Sequence, residues 1–132
     1  MGRIILAVVV ALIVAFAIIT IVEMLGATVV LPPSSEVLKD SAATRQYMMN
    51  LPTLAYVMVV IGWILGAFAA GFIVTKMSRR ESPGITLPIV VGALMTVGAI
   101  ANFVLLPHPT WFIIVGLVVF VPLSLLGHRF AR

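Results

Sequence analysis

Residues 4–31 read IILAVVVALIVAFAIITIVEMLGATVVL, an apolar run interrupted by a single charge, Glu23. At a rise of 1.5 Å per residue it makes about 42 Å of α-helix. That exceeds a bilayer hydrocarbon core of about 30 Å. Arg3 in front gives the run the look of a secretion leader. However, a leader's apolar region is only about 7–15 residues long, so an uncleaved first span is expected. Pro32 and Pro33 close it, since proline has no N–H to give and pushes its predecessor out of the helical region.

Working outward, three more runs follow the same grammar. Leu51 to Thr75 is entered through Asn50 as an N-cap with Pro52 in the tolerated first turn. Ile85 to Leu106 repeats this entry with Thr86 and Pro88, and Thr110 to Leu126 follows Pro107-His108-Pro109. Links this short join antiparallel neighbours. The expectation is an all-α integral membrane four-helix bundle of antiparallel up-down topology. It forms a single transmembrane domain over 1–132, with spans near 4–31, 51–75, 85–106 and 110–126. Pro122 lies well inside the fourth run and should kink it by freeing the carbonyl of Val118.

Segment 32–50 is the one sizeable link. Ser34 or Ser35 can cap a short helix reaching about Met49, with Val37, Leu38, Ala42 and Met49 on one side. That pattern suits an interfacial helix between spans one and two; a plain connector is the alternative.

Composition agrees with the spans. Of 132 residues 63% are hydrophobic and 9% charged, with a mean hydropathy of +1.29. Soluble domains carry about a quarter charged residues, and the spans leave no room for one here. The net charge of +4 is better read through the cytoplasmic bias of Lys and Arg in membrane proteins than as a nucleic-acid footprint. Arg3, Lys76, Arg79, Arg80, Arg129 and Arg132 fall at one set of span ends, and only Lys39 and Arg45 at the other. This split places both termini in the cytoplasm and leaves membrane lipid as the expected partner.

The absence of cysteine removes disulfides, thiolate nucleophiles and cysteine metal sites. No zinc-binding helix motif, nucleophile elbow or phosphate loop is present, so neither a cofactor, a metal nor an enzymatic activity is expected.

Two patterns remain. The first is small residues: Gly62, Gly66 and Ala70 at four-residue spacing in span two, with Ala67 and Gly71 one position on, and Gly92, Ala93, Thr96, Gly98 and Ala99 in span three. In lipid, helices associate where small side chains let backbones approach. The two stripes are expected to pack on each other within the chain; a homodimer seam or a larger membrane partner is the alternative.

The second is polar. Glu23 is the one acid inside a span, and an intramembrane ionisable group is a functional candidate by default. Thr20, Gly26 and Ala27 share its side of the helix. Asn102 rises about 26 Å along span three to a similar height. Thr53 and Tyr56 open span two, His108 tops span three, and Arg45 lies in the link. Three readings compete for Glu23, Asn102, Tyr56, Thr53, His108 and Arg45. One is a structural network locking the helices, and another is a proton or cation site in a small transporter or channel. The third is a lipid-modifying site with Glu23 and His108 as acid and base. His128 reads as a headgroup contact and Trp63 as packing.

From Leu51-Pro52-Thr53 through Gly62-Trp63, Gly66 and Gly71, with Pro107-His108-Pro109 later, about half of the chain resembles small four-helix bacterial membrane proteins of unknown function. The resemblance implies a bacterial inner-membrane setting and no particular activity. The flanks Ile21-Val22-Glu23-Met24-Leu25 differ from the first-helix glutamate motif of small multidrug-resistance transporters, and the polar Asn and Phe motifs of fluoride channels are missing. The leading expectation is therefore a non-enzymatic interaction or assembly component acting through helix packing. A small cation- or proton-coupled transporter or channel using Glu23 comes second.

Overall fold

A computed structural model describes residues 1–30, 33–81 and 84–132. The described residues form helices and no strands: α1 (Gly2–Gly26), α2 (Ser35–Lys39), α3 (Ser41–Met49), α4 (Thr53–Ser78), α5 (Thr86–Leu105), α6 (Thr110–Val118) and α7 (Phe120–Ala131), with a 3-10 turn at Arg79–Glu81 extending α4. Four stretches are long and apolar enough to cross a membrane: Gly2–Gly26, Thr53–Glu81, Thr86–Leu105 and Thr110–Ala131.

Helix ends depart from the ends of the apolar runs. The first run was expected to stay helical to Leu31, but α1 stops at Gly26. Thr28, Val29 and Val30 fold back in turns onto the carbonyls of Leu25 and Gly26, and the Thr28 hydroxyl takes the Leu25 carbonyl at 2.7 Å. Leu31 and Pro32 lie outside the described residues. The last helix instead runs past Leu126 to Ala131, because Gly127 and His128 find partners on α4. Its predicted kink appears as a break at Val119, three residues before Pro122. The link helix is in fact two helices. Ser34 caps α2 by accepting from the Val37 N–H at 3.3 Å, and Asp40 caps α3 by accepting from Ala42 at 3.0 Å.

Helix α4 is the hub, and its small residues are used there. Gly62 lies against Val22 of α1, and a Cβ at Gly66 would meet the Ala15 carbonyl oxygen at 3.2 Å. Facing them, Ala7, Ala11 and Ala15 of α1 are completely buried. Further along, Gly71 abuts the Ser124 carbonyl of α7, and Gly127 of α7 abuts the Phe68 carbonyl. Gly92 of α5 meets α7 as well, 2.8 Å from Val121 Cα to an ideal Cβ. The span-two and span-three stripes were expected to mate; their closest glycine contacts go instead to α1 and α7. Gly62 and Gly66 meet α1, Gly71 and Gly92 meet α7, and a Cβ at Gly98 finds open space to 4 Å.

Candidate functional site

From the start of α4 at Tyr56 to its middle at Trp63, a group of aromatic rings lines the bundle. Trp63 stands against Phe112 and Phe120 with ring centroids at 4.8 and 5.3 Å, and Phe112 in turn packs on Tyr56 at 5.0 Å. His108 stacks nearly flat on Phe112, at 5.2 Å and 10°. Gly116 lets the Phe103 and Trp63 rings close over α6. Such aromatic pairs contribute about 0.5–1.5 kcal/mol each beyond the area they bury, so this end is a stiff wall.

Above that wall lies a cleft of about 370 Å³, bounded by Glu23, Tyr47, Tyr56, Asn102, His108 and Phe112 together with apolar side chains of α1, α3 and α4. Beside it, between α1 and α5, runs a groove of about 270 Å³ bordered by Phe16, Thr20, Trp63, Met95 and Gly98. Glu23 and Asn102 border both spaces and mark their junction.

Four of the six residues expected to converge thus share one cleft: Glu23, Asn102, Tyr56 and His108. Thr53 borders an adjoining hollow with Tyr56, His108 and Trp111. Arg45 lies apart, in a hollow with Leu38, Leu105 and Pro107, so pairing of Arg45 with Glu23 is not what this arrangement offers. A residue in a link has no height fixed by a span, which is why the sequence left Arg45 loosely placed.

The polar groups differ in what they have free. Tyr56 donates its hydroxyl to the Met48 carbonyl at 2.8 Å, tying α4 to α3. His108 Nδ1 is 2.8 Å from the Leu106 carbonyl. A carbonyl only accepts, so Nδ1 carries the hydrogen and Nε2 keeps its lone pair. Burial holds the His108 pKa below its ordinary value, partly opposed by the Leu106 bond. The Glu23 carboxyl, by contrast, has neither a hydrogen bond nor an ion pair among the described residues. Among those residues no three His, Cys, Asp or Glu side chains gather into a set able to hold a metal ion.

Some features escaped the sequence reading. The Ala7-Ala11-Ala15 stripe carried the same four-residue signal as span two and went unread. Trp63 does pack, and it also floors the groove. His128, read as a headgroup contact, is instead buried at 8% exposure, with Nδ1 2.9 Å from the Thr75 hydroxyl. That hydroxyl also lies 2.7 Å from the Gly71 carbonyl, to which it donates. Nearby, Ser124 donates to the Pro88 carbonyl at 2.7 Å. Comparison with protein-family models, curated proteins and solved structures finds no match for this chain.

Proposed function

We propose that the chain is a non-enzymatic protein of the bacterial cytoplasmic membrane that binds an organic cation in the Glu23 cleft, as the recognition step of a small cation-coupled transporter. In this reading the four spans form an antiparallel up-down bundle with both termini in the cytoplasm. The pairing of Gly26 with Met58, Gly62 with Val22 and Arg3 Nε with the Met77 carbonyl supports opposed directions for α1 and α4. The six-to-two split of basic residues supports the orientation.

One observation carries the binding proposal: among the described residues the Glu23 carboxyl has no hydrogen bond or ion pair, yet it borders a cleft walled by Tyr56, Phe112 and apolar side chains. A structural carboxylate in such a place would be expected to hold a donor. An unpaired carboxylate beside aromatic rings is the chemistry that recognises a positive charge with apolar substituents. The assembly reading loses ground by the same reasoning. The glycines that motivate it, Gly62, Gly66, Gly71 and Gly92, are taken up within the chain, leaving it only the Gly98 face of α5.

The test is calorimetric titration of tetraethylammonium into the protein in lipid nanodiscs, wild type against Glu23→Gln. A charge-assisted contact is worth about 1.5–3 kcal/mol, so affinity should fall about 10- to 100-fold. Equal affinity in the two proteins overturns the proposal.

A further inference from the structure

The two spaces that meet at Glu23 and Asn102 differ in character, and the difference restricts what fits them. The upper cleft is ringed by groups able to meet a charge or a dipole: Glu23, Asn102, Tyr47, Tyr56 and His108. The groove below is bordered by Phe16, Ile19, Met95, Ala99 and the Trp63 ring, with Thr20 its one further polar side chain. It lies between α1 and α5, two helices that touch little directly, α1 leaning on α4 and α5 on α7 and α4. Ile13 and Phe16 of α1, and Val97 and Ile100 of α5, are exposed on the outer surfaces of the same helices. In a bilayer that side meets acyl chains, so the groove opens sideways to lipid.

Gly98 keeps it open. A Cβ at this position would touch nothing within 4 Å, although glycine inside a helix is unfavourable relative to alanine. Every other glycine inside the spans, apart from Gly2 at the start of α1, has a neighbour at that range. Close packing accounts for Gly62, Gly66, Gly71, Gly92, Gly116 and Gly127, and not for Gly98.

We infer that the ligand is a long-chain alkylammonium amphiphile of the outer leaflet, its cationic head at Glu23 and Asn102 and its chain lying down the groove over Trp63 past Gly98. This rests on the cation-binding reading above and narrows it from any organic cation to a membrane-borne one. Charge complementarity fixes the head: the Glu23 carboxyl has no partner among the described residues, and the groove below offers an ammonium group nothing. The chain gains little free energy by leaving lipid for an equally apolar groove. Its role is to deliver the head along the bilayer plane and to set its position; the carboxylate supplies the selectivity.

The test uses the Trp111→Phe background, which leaves Trp63 as the sole indole, in nanodiscs of neutral lipid. The probe is dodecyltrimethylammonium brominated at the chain end, bromine being a contact quencher of indole fluorescence. Quenching of Trp63 should saturate with probe. Gly98→Leu, which puts a branched side chain into the groove, should abolish the saturable quenching while tetraethylammonium still binds in a Glu23-dependent manner. If tetraethylammonium binding needs Glu23 but Gly98→Leu leaves saturable quenching intact, or the probe shows only linear partitioning, the amphiphile inference fails and the cation site stands. If neither ligand depends on Glu23, the cation site itself fails and this inference with it.

Discussion

Gly71 and Gly98 look alike in the sequence, each a glycine in the middle of an apolar span, and the structure gives them opposite responses to one added methyl group. In Gly71→Ala the new Cβ would fall inside contact distance of the Ser124 carbonyl, carbon and Cα. These are backbone atoms of a helix and cannot swing aside. Relief requires α7 to move off α4, and two further contacts would go with it: the 2.7 Å bond from Ser124 to the Pro88 carbonyl and the seat of Gly127 on Phe68. Overpacking of this kind costs about 1–3 kcal/mol, and an interhelical hydrogen bond in a membrane protein adds about 0.6 kcal/mol. Gly98→Ala meets open space and gains about 0.5–1 kcal/mol from helix propensity. The two variants should therefore differ by about 2–4 kcal/mol in opposite directions from wild type. Unfolding in mixed micelles of rising SDS fraction, followed by circular dichroism, measures both on one scale. A Gly71→Ala midpoint at or above that of wild type, or a shared direction of shift, would refute the packing argument.

Thr75→Val keeps the volume of the side chain but removes the group facing His128 Nδ1 at 2.9 Å. Leaving a buried imidazole nitrogen unpaired should lower stability by about 1–3 kcal/mol in the same micelle assay. His108 should titrate below the ordinary histidine value, because burial disfavours its charged form. The unfolded chain then binds more protons between the two pKa values, so stability rises with pH through that window and is lost as pH falls through the folded pKa. An NMR titration of the His108 ring that gives an ordinary or raised value contradicts this. The chain has no native cysteine, so single replacements report topology without background. In intact cells a membrane-impermeant maleimide should label Ser41→Cys and should reach Arg132→Cys only after permeabilisation. Labelling of both from one side would overturn the up-down arrangement.

What could be read from the sequence, and what could not, follows from what a helical span specifies. The apolar runs and their proline boundaries placed the four membrane-length helices because length and hydropathy are properties of one segment alone. Helix ends are not. Apolarity persists to Leu31 while the helix ends at Gly26, and it fades after Leu126 while α7 continues, since His128 has Thr75 to meet. Pairing is a further step removed. The stripe at Gly62 and Gly66 announces a close approach, but the same signal at Ala7, Ala11 and Ala15 was needed to say to which helix. The polar cleft was partly legible, because each span fixes the height of its residues and Glu23, Asn102, Tyr56 and His108 share a height. The groove was not, because it is made by contacts that fail to form between α1 and α5, and Gly98 matters through having no neighbour. Glu23 changes most under this view. With α1 ending three residues later, its candidacy rests on a carboxyl without a partner among the described residues. A carboxyl that Asn102, Tyr56 and His108 leave without a partner among the described residues is what the proposed cation would meet.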